Sequence, residues 1–413
     1  MGNEMGAALP GATRDGVALF AHNSNRPADE AQALFWAPAG DHAIGEQSRV
    51  QRLALPQVRR THALIGVRPV GVWGCMHGVN EHGVAMGATP TRTRLPAATV
   101  GLTGADLVRL TLERSASARQ AVELTADLIT RHGQGAYPGR PPQDDHDNAF
   151  LIVDRSEAYL LAASGSHWAE QQVAAVRALN EVCHVRQDWD RLSPGLASLA
   201  IQRGWWPEDG SKLDFAGALV PRSDAMESGY RWWGQATMLL EQEQGAVDST
   251  LLRRLLDECG STGADRPSST ISLIAQLGPT GESVPLAWSS FGPRRFGLYF
   301  PLPVFAEPPA AFRSRASEAE GCDLWQRMTR DWLGRTLTLE TRTALADLQA
   351  RFDLMAVEFQ SEGAALKRRG DDHGLRRLAE SFTQNNWERF EEVWEGVLGQ
   401  DAAWQAACQM DNV

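Results

Sequence analysis

The chain has 413 residues and a formal net charge of −11, with 43% hydrophobic and 22% charged residues. This length suits one large domain or a domain with an appended subdomain. The acidic balance argues against a nucleic-acid groove, which needs a basic patch. The five cysteines are scattered and form no CxxC pair. Such a distribution is typical of reduced thiols and not of a disulfide scaffold or a zinc site.

The sequence shows no segment typical of membrane insertion or secretion. No apolar run approaches the ~20 residues that cross a bilayer. Residues 1–10 have neither the basic start nor the long apolar core of a secretory signal. We therefore expect a cytoplasmic protein that does not bind a membrane.

Apolar and alternating patterns predict strands early in the chain and in two later hairpins. The predicted strands cover residues 17–22, 64–67, 83–87, 149–153, 158–161, 269–277 and 283–288. Helical spacing begins after Thr103, a candidate N-cap, and stops at Gly133. The pattern is again helical from residue 316 to the end, with amphipathic segments at 339–352, 354–367 and 375–398. This order of elements predicts an α+β layered architecture.

Many short strings in the first half of the chain resemble, in order and spacing, the dipeptidase A and secernin group of N-terminal-nucleophile (Ntn) hydrolases. They include ALP, ATRDG, NSNRP, GVNEHGV and NAFLI, at residues 8–10, 12–16, 23–27, 78–84 and 148–152. Further strings lie at residues 29–32, 73–74, 102–110, 112–114, 132–135, 167–169, 204–206 and 213–216. The resemblance implies an αββα sandwich of the Ntn-hydrolase type over residues 1–310, with a helical C-terminal region, residues 311–413, packed on it.

In this group, as the resemblance implies, the first residue after processing attacks the substrate with its thiol, and its own α-amine acts as the base. An Arg and an Asp orient that residue, and an Asn side chain with a backbone N–H forms the oxyanion hole. Counting back from residues 8–10 without a gap places Asn3 at the thiol position, whereas one inserted residue would place Gly2 there. Neither residue can attack as a thiolate.

Other positions of the group's pattern are partly kept. Arg26 is kept, whereas Asn25 stands where the group has Asp and His22 stands where Lys is usual. Ala88-Thr89 and Ala162-Ala163 occupy places where the group has Asn-Glu and Glu-Thr. The nucleophile and several acidic groups are therefore missing together, which indicates a changed reaction or a loss of catalysis.

Three asparagines match the remaining site positions of the group. Asn80 matches the oxyanion-hole Asn, Asn148 matches the Asn before the group's Ser-Phe-Leu-Ile, and Asn180 matches a third Asn. The predicted catalytic residues are Asn80, Arg26, Asn148, Asn3 and Asn25. The predicted substrate-binding residues are His22, Asn180, Cys75 and His77.

Cys75 and His77 offer an alternative nucleophile and base. At i, i+2 on a strand their side chains would face the same side, and an imidazole could activate the thiol. The competing interpretation is a small buried Cys in a tight Gly-rich turn, which is the more common situation for such a residue.

We predict no metal and no other cofactor. His146 and Asp147, beside Asp144 and Asp145, lack the spacing of a typical ligand set and predict a solvated acidic loop. The Gly-rich residues 71–78 contain no GxGxxG between a strand and a helix, so no nucleotide site is indicated.

Two functions fit these observations. The first is a divergent enzyme that acts on an amide or acyl bond of a peptide- or amino-acid-like substrate without an N-terminal Cys; Asn80 would stabilise an oxyanion and Arg26 would bind a carboxylate. The alternative is a non-catalytic pseudo-peptidase that binds a small ligand or a partner protein. A third interpretation, an inactivated variant of a normal peptidase, conflicts with the number of lost positions. The amphipathic tail would also support a homo-oligomer.

Overall fold

The computed structural model describes residues 3–27, 30–96, 100–135, 146–221, 227–258, 268–278, 283–292, 298–313 and 338–394. Within these residues, two antiparallel sheets pack face to face and helices cover their outer faces. The expected αββα sandwich with a helical C-terminal region is therefore confirmed. No helix among the described residues is long and apolar enough to cross a membrane.

The first sheet has six strands, of which β1 and β2 lie near its middle. From one edge to the other they are β14 (Val176–Leu179), β1 (Glu4–Ala8), β2 (Ala18–Pro27), β16 (Ser268–Leu277), β17 (Leu286–Gly292) and β18 (Phe300–Pro303). Glu4 pairs with Asn23, so the chain preceding β1 lies beside the last residues of β2.

The second sheet has eight strands. In spatial order they are β15 (Arg191–Leu192), β13 (His167–Gln172), β12 (Ala158–Ser164), β11 (Asp147–Val153), β10 (Ala85–Thr91), β9 (His77–Asn80), β8 (Leu64–Pro69) and β3 (Gln32–Ala37). Two small two-stranded ladders pair β4 (Gly40–Asp41) with β7 (Arg60–Thr61), and β5 (Gln47–Arg49) with β6 (Ala54–Pro56).

Helices α1 (Gly104–Arg114) and α2 (Ala118–His132) cover the outer face of the second sheet. The N-cap prediction is confirmed: the Thr103 hydroxyl accepts a hydrogen bond from the Asp106 amide, and the Asp106 carboxylate accepts one from the Thr103 amide. This reciprocal capping satisfies two amides that have no partner inside the helix. α2 ends at Gly133, whose φ of +65° is one that glycine adopts without strain.

The outer face of the first sheet is covered by the helices that follow β15. They are α3 (Leu196–Gln202), α4 (Phe215–Leu219), α5 (Glu227–Gln242) and α6 (Ser249–Glu258). Gly6 of β1 leaves room for Leu240 of α5 and for Leu252 and Leu255 of α6, which lie within ordinary contact distance of where a Cβ would be. β1 thus packs directly against this helical layer.

The described part of the C-terminal region forms two long helices, α7 (Leu339–Arg368) and α8 (Asp372–Val393). Residues 339–352 and 354–367, which the sequence analysis treated as separate segments, form one continuous helix because no proline interrupts them. Phe300 of β18 packs edge-on against Phe352 of α7 and Phe390 of α8. Predicted helix at residues 316–337 and 395–398 lies outside the described residues.

Each predicted strand is present, although the strands do not begin and end where the apolar runs do. β2, for example, continues through the polar string from Asn23 to Arg26, because its neighbours β1 and β16 supply backbone partners on both sides. Asp147, expected in a solvated loop, is instead buried as the first residue of β11. Its carboxylate accepts hydrogen bonds from Gln134 and from the Gly165 amide, and burial raises its pKa to about 6.

Candidate functional site

A group of polar side chains lies between the two sheets, beside the residue that precedes β1. We call it the inter-sheet polar cluster, and it consists of Asn3, His22, Ser24, Arg26 and His77. All five are buried, although each carries a polar or charged side chain. Buried polar groups are costly unless they are hydrogen-bonded or have a functional reason to remain.

Asn3 is held in place by both of its amide atoms. Its Nδ2 donates to the carbonyl of Ala88 at 2.8 Å, and its Oδ1 accepts from the backbone N–H of Asn25 at 3.3 Å. The Thr89 hydroxyl donates to the Asn3 carbonyl at 3.1 Å. The residue at the expected nucleophile position therefore joins β2 of the first sheet to β10 of the second. Gly2, the alternative position, lies outside the described residues.

His22 and His77 meet across the two sheets with their ring centroids 4.1 Å apart. His22 Nε2 donates to the Ala88 carbonyl at 3.2 Å, which leaves a lone pair on Nδ1. Within the described part of the chain, neither His22 Nδ1 nor either ring nitrogen of His77 has a hydrogen-bond partner. Three ring nitrogens of the two imidazoles are thus buried without a hydrogen bond that stabilises the fold.

Both imidazoles are held in the neutral state. Burial lowers the pKa of His22 to about 3, and the positive charge of Arg26 acts in the same direction. Burial also lowers the pKa of His77 well below its usual value, with further contributions from His22 and Arg26. Removing water disfavours the charged ring, and a nearby guanidinium repels it. At neutral pH, the pair can accept a proton or a hydrogen bond but carries no charge.

Strand alternation places Ser24 and Arg26 on the same face of β2 as His22, because side chains two residues apart point to the same side. Arg26 forms an ion pair with Glu30 at 3.3 Å, and the Glu30 side chain is partly exposed. The Ser24 hydroxyl has no hydrogen-bond partner in the described residues. The cluster therefore combines one buried cation, two neutral imidazoles and one hydroxyl.

Asn25, predicted beside Asn3, contacts it only through its backbone N–H. Its side chain lies on the opposite face of β2, where Nδ2 donates to Glu4 Oε2 at 2.9 Å. Asn23 donates to the same oxygen at 3.1 Å. Glu4 is a buried carboxylate that the sequence analysis missed. The pairing of β1 with β2 explains its position. Glu4 is opposite Asn23, and strand alternation turns both side chains away from Asn3.

Asn80, predicted to form part of an oxyanion hole, lies outside the cluster. Its Nδ2 donates to the carbonyls of Leu112 and Ser115 at 2.8 and 2.7 Å. Its Oδ1 accepts from the amides of His82 and Val84, both at 3.0 Å. Both N–H groups of the amide are thus used, on the helix-covered face of the second sheet. Asn80 lies three residues after His77 on β9, so its side chain points to the opposite face of the sheet.

Asn148 and Asn180 also lie apart from the cluster. Asn148 faces the helical layer, where its Nδ2 donates to Gln134 at 2.9 Å and its side chain packs against Gly104. Asn180 directly follows β14, and its Nδ2 donates to the Gly229 carbonyl of α5 at 2.8 Å, while its Oδ1 accepts from His184 at 3.2 Å. Asn180 thus anchors α5 beside the sheet edge.

Cys75 and His77 do not form a catalytic pair. β9 begins only at His77, so the alternation assumed for the two residues does not hold. Cys75 packs in the layer between the second sheet and its helices, and its amide donates to the carbonyl of Ala105. Burial raises the pKa of the Cys75 thiol to about 12, so the thiolate is strongly disfavoured.

Of the replaced positions, Ala88 contributes through its backbone and Thr89 through its hydroxyl. Ala88, where the resembled group has Asn, supplies the carbonyl that receives both Asn3 and His22. Ala162 and Ala163 of β12 are buried in the apolar core. Of the acidic residues 144–147, 144 and 145 lie outside the described residues.

A second polar group lies outside the cluster, at the turn between β9 and β10. His62, Glu81 and His82 direct one nitrogen or oxygen atom each toward a common point, with these atoms within 4.8 Å of one another. This arrangement could hold a metal ion, which the sequence analysis did not predict. Glu81 also lines a surface groove of about 640 Å³ that α8 borders on its other side.

A family model of acyl-transferring enzymes matches the part of the chain that forms most of the second sheet. Residues 47–187 match the model described as acyl-coenzyme A:6-aminopenicillanic acid acyl-transferase. The fold is that of the Ntn hydrolases. The matched segment includes His77, Asn80 and Asn148, but it does not include Asn3, which precedes β1, or His22 of β2.

Three solved structures show low-identity similarity to the chain. A variant of conjugated bile acid hydrolase from Clostridium perfringens is 12% identical, with 70% of this chain and 89% of that chain covered and a TM-score of 0.38. Penicillin V acylase from Agrobacterium tumefaciens is 14% identical, with 73% and 86% covered and a TM-score of 0.42. The Caenorhabditis elegans ortholog of N-acylethanolamine-hydrolyzing acid amidase is 9% identical, with 67% and 94% covered and a TM-score of 0.36.

Proposed function

We propose that this protein hydrolyses an amide or acyl bond of a small peptide- or amino-acid-like substrate, with the inter-sheet polar cluster as its active site and without an N-terminal thiol. One observation carries the proposal. His22 Nδ1, both ring nitrogens of His77 and the Ser24 hydroxyl are buried and have no hydrogen-bond partner among the described residues. Each such atom costs about 1–3 kcal/mol, so a bound substrate or water is the expected compensation.

The cluster supplies the groups that water-driven hydrolysis requires. The oxygen of a water molecule would attack the carbonyl carbon while a ring nitrogen of His77 takes the released proton. The C–N or C–O bond would then break, and that proton would pass to the leaving amine or alkoxide. This is general base followed by general acid catalysis. Because burial lowers the pKa of His77 well below its usual value, the ring is unprotonated before the reaction and only weakly basic, and we expect slow turnover.

Arg26 is the group in the cluster suited to a substrate carboxylate. Its ion pair with the partly exposed Glu30 is long, at 3.3 Å, and a substrate carboxylate could take the place of Glu30. An arginine can hold a carboxylate through two parallel hydrogen bonds, which fixes orientation as well as charge. This preference favours substrates with a free carboxylate, such as dipeptides and N-acyl amino acids.

A non-catalytic binding function is the second candidate, and the position of Asn3 favours it. Both amide atoms of Asn3 are used to join β2 to β10, so the residue acts as a structural link at the position where the resembled group has its nucleophile. A protein that had lost catalysis but kept its ligand would retain Arg26 and the imidazoles. Binding without turnover would then be the observed behaviour.

Mass spectrometry of a dipeptide and N-acyl amino-acid panel in H₂¹⁸O tests both candidates. Hydrolysis through water incorporates ¹⁸O into the acid product, and His77→Gln should lower the rate by about 100-fold or more. His42→Gln is the matched control, since His42 lies far along the chain in a small surface ladder and contacts Glu46 and Thr61. If ligands raise the melting temperature but no acid product forms, the protein binds without catalysis.

We also propose a narrower family, a domain boundary, a location and a class of partner for this protein. Within the Ntn-hydrolase fold, the strings of the first half of the chain favour the dipeptidase A and secernin group. We propose a boundary near residue 310 between the sandwich and the helical region, a cytoplasmic location in keeping with the free thiols of Cys75 and Cys183, and a small ligand as the principal partner. The acidic charge disfavours nucleic acid, and α7 and α8 offer a surface for self-association.

A further inference from the structure

The turn between β9 and β10 brings two imidazoles and a carboxylate together. His82 Nε2 lies 3.0 Å from His62 Nδ1, and His62 Nδ1 lies 3.5 Å from Glu81 Oε1. The two rings meet edge-on, with centroids 4.2 Å apart. His62 and Glu81 are half-buried, and His82 is exposed. None of the three belongs to the inter-sheet polar cluster.

The backbone around these residues is fixed by hydrogen bonds. The Oδ1 of Asn80 accepts from the amides of His82 and Val84, and its Nδ2 ties the turn to the last residues of α1. Gly83 completes the turn with a φ of +76°, a conformation that glycine adopts without strain. On the other side, the Glu81 amide donates to the carbonyl of Ala63. Asn80 thus positions the two residues that follow it.

Two of the three distances between the ligand atoms are close to those between atoms bound to one ion, and all three atoms lie within 4.8 Å of one another. A tetrahedral zinc site with bonds of about 2.0–2.1 Å has ligand atoms about 3.3–3.4 Å apart. The observed separations of 3.0 and 3.5 Å lie on either side of that value. The two ring nitrogens share one hydrogen bond, and Glu81 Oε1 accepts from the Ala63 amide at 3.2 Å. An ion bound by both imidazoles would take the place of the ring proton between them, and Glu81 Oε1 has further lone pairs for a metal bond.

We propose that His62, Glu81 and His82 bind one divalent transition-metal ion of the zinc class, with a fourth position open to water. Two imidazoles and one carboxylate form a ligand set that zinc accepts, whereas Ca²⁺ and Mg²⁺ require more oxygen ligands. The exposed His82 and the groove beside Glu81 give the ion a path from solvent.

Calorimetric titration of the full chain with Zn²⁺, after chelator treatment and dialysis, tests the proposal. The wild type should bind one equivalent, and His62→Ala and His82→Ala should each weaken binding by ~100-fold or more. His42→Ala is the matched control. His42 contacts a carboxylate, Glu46, at 2.9 Å but is not one of the three proposed ligands, so its loss should leave zinc affinity unchanged.

Cobalt substitution separates this site from adventitious binding at thiols. Co²⁺ bound by imidazole and carboxylate gives visible ligand-field bands without the near-ultraviolet thiolate charge-transfer band. Absence of a one-to-one Zn²⁺ complex, equal affinity in the His62→Ala variant, or a thiolate band in the Co²⁺ form would each overturn the proposal. Circular dichroism of each variant confirms that a lost site does not reflect a lost fold.

Discussion

The ring of His22 packs against Gly87, and this contact brings it to His77 on the facing sheet. A Cβ at position 87 would lie 2.3 Å from His22 Cδ2, 2.9 Å from Met5 Sδ and 3.0 Å from Phe20 Cζ. The two sheets can therefore approach as closely as they do only because residue 87 has no side chain. The spacing of the inter-sheet polar cluster follows from this one position.

Gly87→Ala should destabilise the protein by about 1–3 kcal/mol, because the added methyl clashes with side chains of the first sheet that pack against β10. Urea unfolding at neutral pH measures the change. Gly11→Ala is the matched control, since no atom lies within 4 Å of a Cβ at that position, and its effect should stay within about 0.5 kcal/mol. Equal midpoints for the two variants would contradict the packing described here.

The neutral state of His22 predicts how stability depends on pH. Its folded pKa of about 3 lies below the value of about 6.5 in an unfolded chain, so only the unfolded state gains a proton as the pH falls below about 6.5. The associated stability is fully present above that pH and is lost at about 1.4 kcal/mol per pH unit down to about pH 3. Between pH 6.5 and 5 this amounts to about 2 kcal/mol.

Unfolding of the wild type and His22→Gln at pH 6.5 and pH 5 tests this expectation. The variant should lose about 2 kcal/mol less than the wild type over this interval, whatever its stability at neutral pH. A parallel pH dependence for His22→Gln and the wild type would show that His22 is not held neutral in the folded protein.

Much of the fold could be predicted from the sequence, because helix ends and hairpins depend on residues that are close together in the chain. The capping box of Thr103 and Asp106 and the glycine at position 133 define helix ends through neighbouring atoms alone. The hairpin of β11 and β12 follows from two apolar runs with a short turn between them. The long helix α7 was predicted as two separate segments. A shift in the apolar pattern can mean either a break in the helix or a change in which face is buried, and only the packing partners distinguish the two.

The site was harder to predict because side-chain direction depends on where each strand begins. Cys75 and His77 are two residues apart, but β9 starts only at His77, and the two side chains lie in different layers. Asn80 was recognised as a distinctive residue, yet its amide serves a turn and a helix end. Glu4 was missed because a carboxylate among apolar neighbours becomes meaningful only when Asn23 and Asn25 are seen to donate to it.

Asn80→Ala should lower stability and not only activity. The substitution removes four hydrogen bonds and leaves the carbonyls of Leu112 and Ser115 without their donor, at a cost of about 2–4 kcal/mol. Asn385→Ala, at an exposed position of α8, is the control and should change stability by less than about 0.5 kcal/mol. If Asn80→Ala kept wild-type stability but lost turnover, Asn80 would act on substrate.

Arg253 of α6 joins α7 to the sandwich, and the two members of its ion pair should differ in their importance. Its two terminal nitrogens donate to the two carboxylate oxygens of Asp353 at 3.2 and 2.9 Å, and its guanidinium lies 4.9 Å from the ring centroid of Trp288. Arg253 is buried, whereas the Asp353 side chain is 44% exposed. Water can therefore replace the carboxylate but not the packing of the guanidinium stem on Trp288.

We accordingly expect Arg253→Ala to cost about 2–3 kcal/mol and Asp353→Ala about 1 kcal/mol or less, as measured by urea unfolding. Arg253→Lys keeps the charge but loses the planar fork, so it should recover only part of the difference. Proteolysis within α7 should accelerate in the same order. Equal costs for the two alanine variants would mean that the charge pair dominates and that the aromatic packing contributes little.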